Sequence, residues 1–223
     1  MNPTANRSLI KELTTLTVVL LVLTRAVTML KGISIIDSIL PVVVAVLFLY
    51  SPILVIWRRG RKIDFLDDGV GDYFRSFIVF LITSLIVFPL FLIGAHLWQM
   101  YVFKMGGFKF VEYPHFWSAA AFQIFLVALP EEFYFRGYFQ SAMDMMCEKR
   151  WKILGVKLGW GWIITSLVFA LAHSIVYYRW WHFAIFFPAL LFGYLRERTG
   201  TITASVLFHA ASNLIMQWFV RCY

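Results

Sequence analysis

The sequence predicts an all-α fold, a polytopic transmembrane helical bundle of about seven spans with its N-terminus in the cytoplasm. Composition is the first observation behind this. Of 223 residues, 61% are hydrophobic and only 14% are charged, against roughly half and a quarter in soluble domains. Mean hydropathy is +0.77, so much of the apolar surface must face lipid rather than one aqueous core. The second observation is the recurrence of apolar runs near the ~20 residues that a bilayer core requires. The third is that Lys and Arg gather on one side of those runs.

The elements follow in order. The first run, 9–31, is too long for a signal-peptide core and has no small-residue cleavage site after it, so it is expected to be retained. A second span, 33–57, leads into the polar loop 58–72 (RRGRKIDFLDDGVGD), which is expected to pack on the inner surface. Further spans fall at 73–98, 116–140, 160–178, 182–196 and 201–220. The sixth is short, and Pro188 is expected to interrupt it. With the N-terminus inside, thirteen of the 20 Lys and Arg face the cytoplasm and five face outward, while Arg25 and Arg136 lie within spans. This is the positive-inside bias. Trp57, Tyr73, Trp98, Trp117, Trp160 and Tyr178 stand near span ends, where an aromatic belt is expected. With no repeat, low-complexity tract or soluble domain, residues 1–223 read as a single membrane-embedded domain.

The net charge of +8 and pI near 9.6 do not imply nucleic acid. The basic residues form short clusters between apolar runs, as membrane loops do, and no nucleic-acid partner is expected. Membrane lipid is the expected surrounding. Cys147 and Cys222 are too few for a disulfide framework and carry no zinc-finger spacing.

Several polar residues interrupt the apolar spans. An ionisable group at bilayer depth costs at least about 2.5–3.5 kcal/mol on insertion scales, so it needs a partner or a function. The fourth span holds Glu131, Glu132 and Arg136, the fifth ends at His173, and the seventh holds His209 and Asn213. At 1.5 Å per helical residue, Glu131, His173 and His209 lie roughly 13, 20 and 12 Å from the cytoplasmic ends of their spans. Three helices thus bring polar groups to a similar level. Glu132 and Arg136 are i,i+4 with the acid first, the favourable order for a helical ion pair. Glu131 points about 100° away and lacks that partner. His209 and Asn213 share a face one turn apart. Pro130 removes a backbone hydrogen bond just before Glu131 and is expected to kink the helix.

Each feature also has a structural reading. Glu132–Arg136 alone is an ion pair holding a helix, and a lone His173, or His209 with Asn213, is interhelical glue. His96, His115 and His182 lie near span ends and take no role. The convergence at one depth favours a functional site.

These residues resemble a known family. Glu131-Glu132-Phe133-Tyr134-Phe135-Arg136 is similar to the EExxxR motif of the CPBP intramembrane proteases, the group of type II CAAX prenyl endopeptidases and bacteriocin-processing or Abi proteins. Phe169-Ala170-Leu171-Ala172-His173 resembles its FxxxH motif, and His209-Ala210-Ala211-Ser212-Asn213 its HxxxN motif. The likeness covers roughly residues 116–220. The aromatic-rich PEEFYFRGY looks most like branches that process C-terminal sorting tails (myxosortase-like enzymes).

The resemblance implies an intramembrane endopeptidase of glutamic type. Glu131, helped by His173, would activate a water, and His209 and Asn213 would donate hydrogen bonds to the oxyanion. Glu132 and Arg136 would hold the helix, with Arg136 also a candidate for meeting a substrate carboxylate. The implied substrate is a membrane-associated protein or peptide, a prenylated CaaX-type protein or a C-terminal sorting tail, in a prokaryotic plasma membrane. No cofactor is implied, although a zinc-dependent form, with Glu131, His173 and His209 as ligands, is the chemical rival. A non-catalytic membrane factor (an immunity protein or scaffold) and a transporter are the rivals of other classes. A transporter predicts inverted repeats, and none is found.

Overall fold

The computed structural model describes residues 3–32, 34–147 and 149–223, with side chains from residue 6 onward. It is all-α apart from one small hairpin. The order is α1 (Pro3–Met29), α2 (Ser34–Arg58), α3 (Val70–Tyr101), α4 (116–146), β1 (Arg150–Ile153), β2 (Val156–Gly159), α5 (Trp160–Tyr177), a 3-10 turn (Trp180–Ile185), α6 (Phe186–Thr199) and α7 (Thr203–Arg221). Each of the seven expected spans falls on one of these helices. The expected first residue of the second span, at 33, lies outside the described residues. By length and composition, four of them, α1, α2, α3 and α5, can cross a bilayer.

The sixth span differs from expectation. Residues 182–185 belong to the 3-10 turn, and α6 begins at Phe186. Pro188 therefore stands in the first helical turn, where a missing N–H has no intrahelical partner to lose, and it starts the helix rather than interrupting it.

α4 is the centre of the bundle. Phe133 to Gln140 are eight consecutive buried residues, a helix enclosed on every side. Around Pro130 the helix widens into π-type turns at Gln123–Ala128 and Phe133–Gln140. The proline ring crowds the carbonyl four residues back, and wider turns relieve that crowding. The amide of Leu129, for instance, reaches back five residues to the carbonyl of Ile124.

Two outer elements hold α4 in place. From α1, Thr17 Oγ1 donates to the Leu13 carbonyl and accepts from the Tyr134 hydroxyl at 2.7 Å. Tyr138 donates to Glu12 at 2.9 Å. From the loop 58–72, Phe65 is only 3% exposed and packs edge-on against Phe133 with centroids 4.9 Å apart. A Cβ at position 137 would overlap the Phe65 ring, so Gly137 is what lets the loop seat. Asp67 accepts hydrogen bonds from Ser76, Thr201 and Thr203, tying this loop to the start of α3 and of α7.

The hairpin 150–159 is absent from the sequence reading. Its turn places both Leu154 (φ 47°) and Gly155 (φ 82°) in the left-handed region, as a two-residue hairpin loop requires.

Candidate active site

The fourth, fifth and seventh helices deliver their polar residues to one place, as the depth argument anticipates. Glu132 anchors the group. It is fully enclosed and receives three donors: Arg136 Nε at 3.3 Å from its own helix, and Ser205 Oγ and His209 Nδ1 from α7, the latter at 2.9 Å. Because a carboxylate only accepts, His209 Nδ1 must carry a hydrogen. Arg136 is also fully enclosed rather than open to a surface. Its guanidinium instead lies over Phe169 at 5.1 Å and Phe192 at 6.0 Å, where the ring quadrupoles attract a cation.

Glu131 faces the other way and, among the described residues, its Oε2 lacks such partners. Its Oε2 lies 3.7 Å from His173 Nε2 and 3.9 Å from His209 Nε2. Both distances exceed a direct hydrogen bond, and both suit groups that share a small third partner. The tautomers follow from the other ring nitrogens. His173 Nδ1 lies 3.0 Å from the Phe169 carbonyl, an acceptor, so it too must donate. In the neutral imidazole His173 Nε2 then offers its lone pair toward Glu131, whereas His209 donates from Nε2 only as the imidazolium. Aromatic rings fix both imidazoles. Phe192 stacks on His209 at 4.7 Å and 15°, and Phe169 lies 4.5 Å from His173.

Asn213 does not join this group directly. Its amide nitrogen donates to Gln123 Oε1 on α4 at 2.9 Å, leaving the amide one turn beyond His209 on the same face. Arg25, counted from the sequence as an intramembrane charge, donates to the Val176 carbonyl at 2.8 Å, which satisfies the C-terminal end of α5.

Two contributors escaped the sequence reading. Ser205 precedes His209 by four residues, so it shares that face, and the spacing was available as a signal. Gln123 is buried in the first wide turn of α4, where helical spacing from Glu131 gives no reliable direction. Among the described residues, no three His, Cys, Asp or Glu side chains are placed to hold one metal ion.

Apolar helices long enough to cross a bilayer, enclosing carboxylates and imidazoles, define an integral membrane protein with the groups for proton transfer. Residues 113–215 match the family model described as type II CAAX prenyl endopeptidase Rce1-like. That segment holds Glu131, Glu132, Arg136, His173, His209 and Asn213. The match covers a little under half of the chain and supports membership of the CPBP group of membrane endopeptidases that the three motifs resemble. No curated protein and no solved structure matches the chain.

Proposed function

We propose that the protein is a glutamic-type intramembrane endopeptidase that cleaves a membrane-associated substrate near its C-terminus, in a prokaryotic plasma membrane. The observation that carries this is the position of Glu131 Oε2 between two Nε2 atoms whose rings are each pinned through Nδ1. The family description supports the reaction class.

In this reading a water sits between Glu131 and His173. Glu131 accepts its proton as the oxygen attacks the scissile carbonyl, and His173 Nε2 assists as a second acceptor. His209, protonated at Nε2 and held through Nδ1 by Glu132, donates to the oxyanion, and Asn213 supplies the second donor. The proton taken by Glu131 then passes to the leaving amine. Each oxyanion donor in a preorganised site is worth roughly 10²–10³ in rate. The substrate class that suits a membrane-embedded groove is a prenylated CaaX-type protein or a C-terminal sorting tail.

The test is mass spectrometry of membrane and secreted proteins from cells making the unaltered chain, Glu131→Gln or His173→Ala. Uncut precursors are expected to accumulate with both variants while the protein still inserts. Full processing by either variant overturns the proposed base. Processing by the purified chain should also survive strong chelation; loss of activity that zinc restores would favour the zinc-dependent form.

A further inference from the structure

On the face that the charge bias assigns to the cytoplasm lies a second constellation, separate from the carboxylate–imidazole group. A cavity of about 510 Å³ is lined by Arg75 and Val79 of α3, Gly155 and Lys157 of the hairpin, and Glu197 and Arg198 of α6. Three elements distant in the chain thus turn three cations toward one space. Its single acid is already engaged, since Glu197 accepts from Arg196 at 2.5 Å and from Gln140 at 3.0 Å. Among the described residues, none of the three cations is paired with a carboxylate.

The cavity is built rather than incidental. Arg75 Nη2 donates to the Arg198 carbonyl at 2.9 Å, which fixes one cation against the end of α6. The Arg198 guanidinium lies over Gly155, where a Cβ would stand 3.3 Å from Nη1. The strand register sets Lys152 directly opposite Lys157, a like-charge cross-strand pair that is unfavourable by itself. A bound anion would relieve it.

Its place in the membrane narrows the ligand. Arg75 and Arg198 sit at helix ends, where spans meet the headgroup layer. Val79, one turn further along α3, makes an apolar floor. Beside the cavity the hairpin presents Leu154 at its tip, 81% exposed, with its carbonyl held by the Tyr194 hydroxyl at 3.2 Å, one turn inside α6. An apolar finger next to three cations that have no carboxylate partner among the described residues matches a phosphate with acyl chains attached better than a freely soluble anion. Basic pockets between membrane helices on the cytoplasmic side have this character.

We propose that this cavity binds the phosphate of an anionic phospholipid headgroup of the inner leaflet. The proposal is independent of the protease reading, and its test does not use activity. The full chain in a neutral detergent is titrated with short-chain phosphatidylglycerol while its thermal unfolding is followed, with phosphatidylcholine and inorganic phosphate in parallel. Phosphatidylglycerol should raise the unfolding midpoint, and the other two should not. The double variant Lys157→Gln/Arg198→Gln should bind it roughly 30-fold more weakly, corresponding to two interfacial charges at about 1 kcal/mol each. Arg58→Gln, which removes an exposed cation of the same face outside the cavity, should change nothing. Equal response to phosphatidylcholine, or an unaffected double variant, overturns the proposal. Protection by inorganic phosphate matching that by phosphatidylglycerol also overturns it, in favour of a soluble-anion site. Should the double variant fail to fold, native mass spectrometry of the unaltered chain from mixed micelles decides: preferential retention of phosphatidylglycerol supports the site, and indifference refutes it.

Discussion

Glu131 and Glu132 adjoin in the chain and have opposite surroundings. Glu132 compensates Arg136 where neither touches solvent, so Glu132→Ala leaves a buried charge alone. That change should destabilise the protein by about 3–5 kcal/mol, seen as a large fall in the unfolding temperature in detergent. Glu131→Gln should abolish cleavage and leave that temperature nearly unchanged, because Oε2 has no direct hydrogen-bond partner among the described residues. Gln123→Ala frees the amide of Asn213. In a purified assay it should lower kcat with KM little altered, by no more than the roughly 10²–10³ that loss of one oxyanion donor gives. Glu131, His173 and His209 were legible because each is a polar residue inside an apolar run, at a depth that counting recovers. That His209 grips Glu132 was not legible, since it depends on how α4 and α7 are rotated toward each other.

At the level of elements, α4 departs most from what helical periodicity can describe. The two motif glutamates occupy a short α-helical stretch, Leu129–Glu132, between two wide turns, and Arg136 lies in the second of these. Faces counted at 100° per residue hold only locally there, which is why the near pair Glu132–Arg136 was readable and the distant pair Gln123–Asn213 was not. The Phe65–Gly137 contact was hidden for another reason: a polar loop sequence gives no sign that its one Phe enters the core. Gly137→Ala should force that ring to move, with an overpacking penalty of about 1–3 kcal/mol. Combining it with Phe65→Ala should give less than the sum of the two single losses, as a double-mutant cycle of melting curves would show. The hairpin escaped because its ten strand and turn residues carry no clean alternation, and Pro188 was misread because a proline breaks or begins a helix according to where the first turn falls.

For the whole molecule, the all-α class was legible from composition, while sidedness remains an inference from charge. A cysteine replacing Lys62 should react with a membrane-impermeant maleimide only after permeabilisation, and one replacing Lys104 should react in intact cells. The reverse pattern would invert the topology. Near the end of α4, burial pushes Asp144 up to about 6, with Glu197 adding to the shift and Arg150 opposing it. A raised carboxyl pKa in the fold means that Asp144 contributes stability while protonated, and that this is lost as pH rises through about 6. The unaltered chain should therefore lose thermal stability, relative to Asp144→Asn, between about pH 4 and 6.

The helices differ widely in length. α3 runs for 32 residues and α6 for 14, about 48 and 21 Å at 1.5 Å per residue, around a hydrocarbon layer of about 30 Å. Spanning that layer, the first must lean, and the second would require the acyl chains beside it to compress. α6 bears Phe192, the ring stacked on His209, so a bilayer that thins to fit α6 would be thinnest next to the carboxylate–imidazole group. Such thinning would bring bulk water close to a buried site without a tunnel. Turnover should accordingly decline as the host lipids are made longer.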